Sequence, residues 1–450
     1  MELDEVSNLL INNSIKLIRF LYCDNSSIIR GKAATDKTFD ASKKAGIGLT
    51  VAQQAVNMFD QLQPVEGFQP VREVRLVPDL QSLKILPYAE NTAAVMCDLM
   101  TSENKSWAAC QRYFIKRMIS SFEHHGYKIQ AAFENEFCLY KQNDNGDCIP
   151  LDHSQCFSSI SMASASKIIN EIINALEKQN IQVEFYYPEC SFGQHEISIH
   201  YSDPLTAADN QIWFRETVRS VAENHGLKAS FSPKPDKDSA GNGSHIHLSI
   251  WDLENNRNLL FDKDEKYQLS KIGRNFTAGI LAHTPALLAL TAPSVNSYRR
   301  LKPFSWSSAY TCWGPENREA TVRLIQPSSL DNKDNINLEY KPSDPSNNPY
   351  LALGSLIAAG LDGIINDLHP GSPTLYDPAT FTDEERMKLN IYRYPETLNT
   401  ALKELNKDTV LQNALGCELL KVFTAVRQSE YDIFSKKDVS FEIENHMFKY

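Results

Sequence analysis

The sequence of 450 residues predicts an α+β fold, with a small mixed domain over residues 1–102 and a larger domain over residues 103–450. Two kinds of observation support this class. Residues 131–140 alternate apolar and polar side chains with the two-residue period of a strand, and the segments 188–201, 243–251 and 331–341 repeat that alternation. Helical spacing occurs in residues 107–125, 164–179, 204–226 and 397–431. The pattern therefore indicates a sheet flanked by helices.

The small domain is predicted from short apolar runs that turn residues separate. Residues 15–23 and 28–29 are two such runs, and residues 24–26 between them carry a turn signal, which predicts a hairpin. Residues 74–77 and 93–99 predict two further strands. A polar stretch after the last of these strands marks the domain boundary.

Residues 131–140 carry the first candidate site. As a strand, this segment places Glu134 and Glu136 on one face, and Phe133 and Phe137 on the other. Two carboxylates roughly 6–7 Å apart along a strand repel each other in a shared cavity, because buried charge without a partner is costly. A divalent cation would relieve that repulsion. The alternative is a solvent-facing strand that carries two acids.

The three later extended segments carry further ligand-type side chains on one face. These are Gln194, Glu196, Ser198 and His200; His245, His247 and Ser249; and Asn337, Glu339 and Lys341. Glu189 precedes the first of these sets across a glycine-bearing turn that can bring Glu189 and Glu196 together. Mg²⁺ and Mn²⁺ prefer oxygen ligands, and Mn²⁺ also accepts imidazole. Five glutamates and one histidine exceed the needs of a single ion. The sequence therefore predicts two ions, each with open positions for water and phosphate.

Two pairs of arginines complete the predicted chemistry. Arg318 and Arg323 lie five residues apart, and Arg299 and Arg300 are adjacent. Phosphoryl transfer needs cations around the moving phosphate, and the planar fork of arginine suits phosphate and carboxylate oxygens better than the point charge of lysine. Each arginine alone also fits a surface or ion-pair role. The combination with the acids indicates phosphoryl transfer.

Composition and charge exclude several classes of partner. A formal net charge of −11 argues against nucleic-acid binding, which favours basic surfaces. Nine cysteines without a C-x-x-C pair fit reduced thiols. The acidic start lacks the features of a secretory signal, and the apolar windows 279–293 and 351–365 are too short and interrupted to cross a membrane. We expect a cytoplasmic protein without nucleic-acid or membrane partners.

Six motifs in order resemble the glutamine synthetase family of class I. They are Glu134-x-Glu136; Glu189 with Gly193-Gln-His-Glu196; Asn242-Gly-Ser-His-Ile-His247; Asn296-Ser-Tyr-Arg-Arg-Leu301; Asn317-Arg-x4-Arg323; and Glu339 with Asn348-Pro-Tyr350. The pattern is closest to the γ-glutamyl-amine ligases, which couple glutamate to polyamines or ethanolamine. The resemblance implies a β-grasp-like amino-terminal domain and a catalytic domain with a curved antiparallel sheet flanked by helices. It also implies a homo-oligomer of stacked rings with active sites between subunits.

The resemblance also implies a role for each motif residue. One metal ion would be held by Glu136, Glu189 and Glu196, and the other by Glu134, His245 and Glu339. ATP would contact His247, Ser249, Arg318, Arg323 and Glu184. Glutamate would contact Glu136, Asn242, Gly243, Arg300 and Lys341, with Arg318 and Arg300 as catalytic residues. The family reaction phosphorylates the γ-carboxylate of glutamate with ATP, and an amine then attacks the acyl phosphate.

Two departures from the family pattern concern the amine. Glutamine synthetases hold ammonium between an aspartate of the small domain and a glutamate on a flap after the Arg-Leu motif. In this sequence, Thr50 and Trp306 occupy the positions of that aspartate and that glutamate. Without both anions an aromatic wall remains, which favours an organic amine through apolar or cation–π contact. The alternative is that Glu316 or Glu319 replaces the lost anion and ammonium remains the substrate.

Other features leave further questions open. Lys341 occupies a place where the family often has an arginine for the α-carboxylate of glutamate, so glutamate binds more weakly or the acid differs. Tyr376 lies near a tyrosine that some bacterial members modify, and a packed or surface tyrosine is the alternative. A catalytically silent homologue is disfavoured because all six metal-ligand positions are present, and the Asn-Gly and Asn-Arg motifs disfavour a phosphagen-type kinase. The sequence leaves the number of subunits and the choice between Mg²⁺ and Mn²⁺ open.

Overall fold

A computed structural model describes residues 3–143 and 146–450. Met1 and Glu2, which begin the acidic start and the predicted first domain, lie outside the described residues. The first part of the chain forms a six-stranded sheet whose strands are β1 (Leu17–Cys23), β2 (Ile29–Thr35), β3 (Ile47–Thr50), β4 (Glu73–Pro78), β5 (Lys84–Ile85) and β6 (Thr92–Thr101). The order is β2-β1-β6-β4-β3, with β5 paired to β6.

The strands predicted for the small domain are confirmed. β1 and β2 form an antiparallel hairpin with Leu17 opposite Thr35 and Cys23 opposite Ile29. In its turn, the Asp24 carboxylate accepts the backbone N–H groups of residues 26 and 28, each at 2.9 Å. Aspartate commonly closes turns in this way. The predicted boundary between residues 102 and 103 stays a prediction.

The larger part of the chain is built on a nine-stranded sheet. Its strands are β7 (Tyr127–Gln142), β8 (Cys148–Pro150), β9 (Val183–Pro188), β10 (Gln194–Ile199), β11 (Leu227–Ser230), β12 (Ser244–Asp252), β13 (Tyr310–Pro315), β14 (Ala320–Ile325) and β15 (Asn337–Tyr340). The order is β13-β14-β15-β12-β7-β10-β9, with β8 and β11 also paired to β7. Neighbouring strands are antiparallel except for β13 and β14.

All four segments with a predicted two-residue period contribute strands to this sheet, so the α+β prediction is confirmed. The last of them is shorter than expected, because a 3₁₀-helix occupies Leu330–Asn335 and β15 begins only at Asn337. His200 likewise lies just beyond the end of β10. The sheet also contains β13 and β14, which the sequence analysis does not predict.

Thirteen α-helices occur in the described residues. They are α1 (Leu3–Asn12), α2 (Asp36–Ala45), α3 (Gln111–His124), α4 (Ser159–Lys178), α5 (Pro204–Asn224), α6 (Lys271–Thr291), α7 (Ser297–Arg300), α8 (Pro349–Ile365), α9 (Asp383–Lys388), α10 (Leu398–Leu405), α11 (Thr409–Leu415), α12 (Cys417–Phe434) and α13 (Val439–His446). The predicted helices differ from these mainly at their ends. For example, α4 begins at Ser159 because the Ser158 hydroxyl accepts the backbone N–H of Ile160.

The two most apolar windows of the sequence lie in α6 and α8, which pack together in the core. α8 is buried along most of its length, so its uniform hydrophobicity reflects burial rather than a membrane. Among the described residues, none of the helices combines the length and hydrophobicity that a membrane crossing requires.

The motif at residues 348–350 ties the start of α8 to the end of β1 and to α5. The Asn348 side chain accepts the backbone N–H groups of Tyr350 and Leu351, which caps α8, and donates to the carbonyl groups of Cys23 and Asp24, both at 3.1 Å. The Tyr350 hydroxyl donates to the Asp209 carboxylate at 2.7 Å. This motif therefore supports the fold.

The contact between α6 and α8 gives a test of the packing. A methyl group at Gly279 would overlap the backbone of Ala359 and Gly363 on α8. We predict that Gly279→Ala lowers the free energy of unfolding by about 1–3 kcal/mol, because the two helices must separate to admit it. Chemical denaturation checks this value. Ala282→Ser, on the exposed face of α6, is the control and should cost less than about 0.5 kcal/mol; an equal cost in both variants would contradict the packing argument.

Candidate active site

Three neighbouring strands place the first predicted ligands side by side. Glu136 of β7 lies opposite Glu196 of β10. On the other side of β7, His245 of β12 lies opposite Glu134. The pairing register thus aligns side chains from three separate parts of the sequence.

Two further strands extend this row. β15 places Glu339 opposite His247 of β12, and β14 places Arg323 opposite Glu339. The sheet therefore brings together strand residues from five of the six predicted motifs.

The His245 imidazole bridges the two carboxylates with which it was predicted to hold a metal ion. Its Nδ1 lies 2.9 Å from Glu134 Oε2 and 3.1 Å from Glu339 Oε1. Its Nε2 lies 3.0 Å from Arg300 Nη2, which can only donate. Nδ1 is therefore the nitrogen that carries the proton, and it donates to the carboxylates.

The charges around this group keep its acids ionised. Burial favours the neutral form of Glu134, but hydrogen bonds from His245 and His247 lower its pKa well below the usual value. Burial of Glu339 is likewise outweighed by the Lys341 charge and by His245, and its pKa is also well below the usual value. Carboxylates in this state are ready to bind a cation.

The structure adds His247 to the same group. The ligand atoms of Glu134, His247 and Glu339 all lie within 4.8 Å of one another. His247 Nδ1 lies 2.9 Å from Asn337 Oδ1, which leaves Nε2 facing Glu134 Oε2 at 3.8 Å. Burial lowers the pKa of His247, but Glu134 outweighs this effect and raises the pKa to about 9. His247, predicted as an ATP contact, is thus also within reach of the ion.

In the other predicted metal-binding set, Glu189 and Glu196 form no ion pair with a cationic side chain among the described residues. Burial and the charges of Glu134 and Glu136 raise the pKa of Glu196 well above its usual value. Burial and the Glu136 charge raise the pKa of Glu189 to about 7. These shifts express repulsion among acids that face one another, and a bound cation would reverse them. Carboxylates with an imidazole are the donors that Mg²⁺ and Mn²⁺ accept, so the residues fit the predicted ions.

Two cavities meet at Glu134. The larger has a volume of about 880 Å³, and its lining includes Glu134, Glu136, Glu189, Glu196, His245, Arg300, Arg318, Lys341 and Trp306. The smaller has a volume of about 590 Å³, and its lining includes Glu134, Glu184, His247 and Ser249. The structure therefore separates most residues predicted for glutamate from three of those predicted for ATP.

Gly243 lies directly against three of the predicted site residues. Any side chain at this position would collide with His245, Arg300 and Glu136. The Gly243 carbonyl group accepts the backbone N–H of Glu136 at 3.1 Å. A side chain at residue 243 would therefore displace the functional ends of these three side chains.

The predicted arginines differ in their surroundings. Arg300 is buried and donates to the carbonyl groups of Pro342 and Lys341 at 3.2 and 3.3 Å. Arg318 is exposed and lines the larger cavity, and no carboxylate among the described residues forms an ion pair with it. Arg323 instead pairs with Glu316 at 2.7 Å and Glu339 at 3.2 Å.

Lys341 also forms an ion pair within the protein. Its ammonium group is buried and lies 3.1 Å from Glu339 Oε1. A lysine at this position therefore neutralises a candidate metal ligand while it lines the larger cavity. The predicted contact with an α-carboxylate requires Lys341 to share its charge between two acids.

The loop of residues 302–308 places Trp306 at the larger cavity, with 60% of the residue exposed. Phe304, Trp306 and Ser308 have φ values of 60°, 54° and 66°, which non-glycine residues rarely adopt. Glu319 stabilises this loop, because its Oε1 accepts the Trp306 backbone N–H at 2.7 Å. The loop conformation is thus held by a buried acid.

Two predicted residues lie away from the cavities. Thr50 ends β3 in the small sheet, where its hydroxyl accepts the backbone N–H of Ala52. The structure does not bring it to Trp306 within one chain. Tyr376 is 72% exposed, and its carbonyl group accepts a hydrogen bond from Asn317 Nδ2 at 3.1 Å. A regulatory role for Tyr376 stays a prediction.

Two residues support the acids: Gln194, which the sequence placed on the polar face without a role, and Tyr187, which sequence reasoning missed. Gln194 Nε2 donates to Glu136 Oε2 at 2.9 Å and to Asn242 Oδ1 at 3.0 Å. The Tyr187 hydroxyl donates to the Glu196 carboxylate. The strand pattern of the sequence puts Gln194 on the same face as Glu196. Tyr187 is identified only by the pairing of β9 with β10, which places it opposite Glu196.

Comparison with known proteins identifies the family. The model of the glutamine synthetase catalytic domain matches residues 108–446, and the model of the glutamine synthetase N-terminal domain matches residues 5–107. The chain belongs to the glutamine synthetase family. It is a ligase of glutamate with ammonia or an amine.

Individual relatives of this family member differ in their nitrogen donors. A glutamine synthetase of Halobacterium salinarum is 35% identical and aligns over 86% of each chain. The gamma-glutamylpolyamine synthetase GlnA3 of Streptomyces coelicolor is 33% identical over 91% of this chain and 88% of its own. A solved GmaS/ADP complex has a TM-score of 0.85 at 26% identity and covers 97% of this chain and 98% of its own. The glutamine synthetase fold is thereby confirmed, while the nitrogen donor is left open.

The acidic group of this glutamine synthetase family member predicts a pH effect. Since the folded-state pKa of Glu189 is about 7 and the unfolded value is about 4.3, the folded metal-free protein retains a proton that the unfolded chain releases. The corresponding stability is present below about pH 4.3 and is lost as pH rises to about 7. We therefore predict that the melting temperature in EDTA falls less steeply between pH 5 and 8 in Glu189→Gln than in the wild type.

The control for this measurement is Glu123→Gln at the exposed end of α3. It should leave the pH dependence unchanged. Added Mn²⁺ should stabilise the wild type most at the upper end of this range, because metal binding displaces the proton. Equal pH slopes for Glu189→Gln and the wild type would contradict the prediction.

Proposed function

We propose that the protein is an ATP-dependent ligase that joins the γ-carboxylate of glutamate to an organic amine through a γ-glutamyl phosphate. The observation that carries this proposal is the meeting of the two cavities at Glu134, beside both acidic groups. A ligase of this kind must bring a triphosphate and an acid together from two sides. The arrangement supports ATP in the smaller cavity and glutamate in the larger one.

The proposed reaction has two steps. An oxygen of the γ-carboxylate attacks the terminal phosphorus of ATP, which yields γ-glutamyl phosphate and ADP. The amine then attacks the acyl carbon and releases phosphate. Phosphorylation is needed because a carboxylate is a poor electrophile until phosphate becomes its leaving group. Two divalent ions, Mg²⁺ or Mn²⁺, would neutralise charge on the phosphates when bound.

The chain's own residues have distinct roles in this proposal. Glu136, Glu189 and Glu196 would hold one ion, and Glu134, His245 and Glu339 the other. Arg318 would contact the moving phosphate, because its guanidinium group lines the larger cavity without a described carboxylate partner. Arg300 would orient glutamate, and its three hydrogen bonds to protein groups support a fixed position. Oriented donors of this kind need no rearrangement during the reaction.

The amine pocket supports an organic amine. Trp306 lines the larger cavity together with Phe157 and Phe304, which gives it an aromatic wall. Both acids that could replace the missing anions are engaged elsewhere: Glu316 pairs with Arg323, and Glu319 binds the backbone of the Trp306 loop. An amine with an alkyl part would gain apolar contact here, and its ammonium form would gain cation–π attraction.

Ammonium is the second candidate, and one observation favours it. Glu319 Oε1 accepts the Trp306 backbone N–H at 2.7 Å. A carboxylate therefore stands directly behind the aromatic wall. If Trp306 turned outward, Glu319 could bind a small cation.

Assembly is part of the proposal. We infer a homo-oligomer of stacked rings in which Thr50 reaches the amine pocket of a neighbouring subunit, since Thr50 lies far along the chain from Trp306 and in the other sheet. The nine free cysteines support a reducing, cytoplasmic setting.

The metal assignment is tested by ligand removal. We predict that Glu136→Ala and His245→Ala each lower ATP turnover by more than about 100-fold, since even indirect supports of a metal site cost 10–100-fold. Phosphate release in the presence of ATP, glutamate, amine and Mg²⁺ measures this. The assembled state, followed by size-exclusion chromatography, should not change. Glu123→Ala and His124→Ala are the exposed controls, and retained turnover in Glu136→Ala would contradict the assignment.

The nitrogen donor is tested by a panel of amines. We predict higher kcat/KM for ethanolamine, putrescine or methylamine than for ammonium in the wild type. Trp306→Glu should shift this ratio toward ammonium by at least about tenfold, because it restores an anion and removes the aromatic contact. Trp306→Phe, which keeps an aromatic ring, is the matched control. An unchanged ratio in Trp306→Glu would remove Trp306 from the amine pocket.

A further inference from the structure

Two cysteines meet beside the candidate metal site. Cys156 Sγ lies 2.7 Å from Cys190 Sγ, although 34 residues separate them in the sequence. Both are free, and Cys190 is exposed. The length of a disulfide bond is about 2.05 Å, so the two sulfur atoms need to approach by only about 0.7 Å to become bonded.

The surrounding backbone already holds this pair in place. The Phe157 backbone N–H donates to the Pro188 carbonyl group at 3.1 Å. The Phe157 ring packs against Tyr187, with 5.4 Å between the ring centroids. The segment that carries Cys156 is therefore fixed to the end of β9, directly before the turn that carries Cys190.

The pair is also connected to a proposed metal ligand. Glu189 precedes Cys190, and the Cys190 backbone N–H donates to Glu189 Oε2 at 3.1 Å. One ligand atom from each of Cys156, Glu189 and Cys190 lies within 4.8 Å of the other two. Glu189 and Cys190 both line the larger cavity. A bond between the sulfur atoms would thus fix the turn on which Glu189 sits.

We propose that Cys156 and Cys190 form a reversible disulfide that couples the redox state of the protein to metal binding at Glu189. The disulfide itself needs only the thiol pair, whereas the coupling rests on the proposed role of Glu189 as a metal ligand. Closure ties the turn that carries Glu189 to the segment of Cys156, so this ligand loses freedom to adjust to an incoming ion. The oxidised protein therefore needs more metal ion for the same activity.

The oxidation is a thiol–disulfide exchange with a low-molecular-weight disulfide such as oxidised glutathione. One cysteine thiolate attacks a sulfur of the glutathione disulfide and releases one glutathione. The other cysteine attacks the mixed disulfide and releases the second. The two cysteines lose two protons and two electrons, which the two glutathione molecules gain. Uncatalysed exchange of this kind takes minutes to hours.

The first test counts thiols and does not depend on catalysis. The full-length protein is incubated with oxidised glutathione at pH 8, alkylated and digested. We expect a peptide that links Cys156 to Cys190, a mass loss of two hydrogens, and reversal by dithiothreitol. Cys156→Ser and Cys190→Ser should each abolish the link, while Cys417→Ser, at the other exposed cysteine, should retain it. Glutathione attached to Cys190 without an internal link would overturn the proposal.

The second test measures the coupling. The Mg²⁺ concentration for half-maximal phosphate release should rise at least threefold in the oxidised wild type and return with dithiothreitol. Oxidant should not change it in Cys156→Ser. A linked peptide without a change in metal requirement would overturn the coupling and leave the proposed function standing. Absence of turnover in the reduced protein would instead contradict the proposed function, since thiol counting is independent of it.

Discussion

Glu136 and Glu196 face each other across two antiparallel strands, and the organisation of the site depends on how this pair of like charges is held. Like charges directly opposite each other destabilise a sheet. The opposite faces of the same strands offset this cost, because Phe133, Phe137 and Ile197 are fully buried in the main core. A shift of one residue in the pairing of β7 with β10 would turn the acids toward the core and the apolar side chains toward the site. The hydrophobic core therefore fixes the register that keeps the acids together.

The consequence is a site with two electrostatically different halves. Glu339 contacts Lys341, Arg323 and His245, so its charge is neutralised before any ion binds. Glu189 and Glu196 have no comparable cation among the described residues, and their pKa values are raised. The first half is preorganised by the protein, whereas the second is stabilised only when a cation arrives. For the proposed two-ion site, a need for divalent metal would follow from where the cations of the chain are placed.

Much of the fold was predictable because the site lies on regular strands. The two-residue alternation around Glu134, Glu196, His245 and Glu339 identified both the strands and the face that carries the ligands. β14 was predictable by the same rule, since Val322 and Leu324 alternate with polar neighbours. β13 was not, because it contains a glycine and ends in a proline.

The local sequence pattern does not reveal which strands lie next to each other in the sheet. Tyr187 supports Glu196 because β9 lies beside β10, and nothing in the local pattern of Tyr187 indicates this. The Cys156–Cys190 contact has the same origin, since a 34-residue separation has no characteristic spacing. His247 was predicted on the nucleotide side alone, although the strand register also brings it within reach of Glu134 and Glu339. Contacts within a strand are encoded locally, whereas contacts between strands depend on the whole topology.

In the proposed amine pocket, Trp306 stands where the family pattern has a glutamate, and this difference changes the role of the neighbouring acids. Because Trp306 has a positive φ, its loop needs an external partner for the backbone N–H groups, and Glu319 supplies it. A carboxylate held by a backbone N–H in this way is poorly placed to move toward and bind a small cation. The aromatic ring and the buried carboxylate therefore act together: the carboxylate fixes the loop, and the ring is what the loop presents to the cavity. If Trp306 lines the amine pocket as proposed, specificity for the nitrogen donor would reside in the loop conformation as much as in the identity of residue 306.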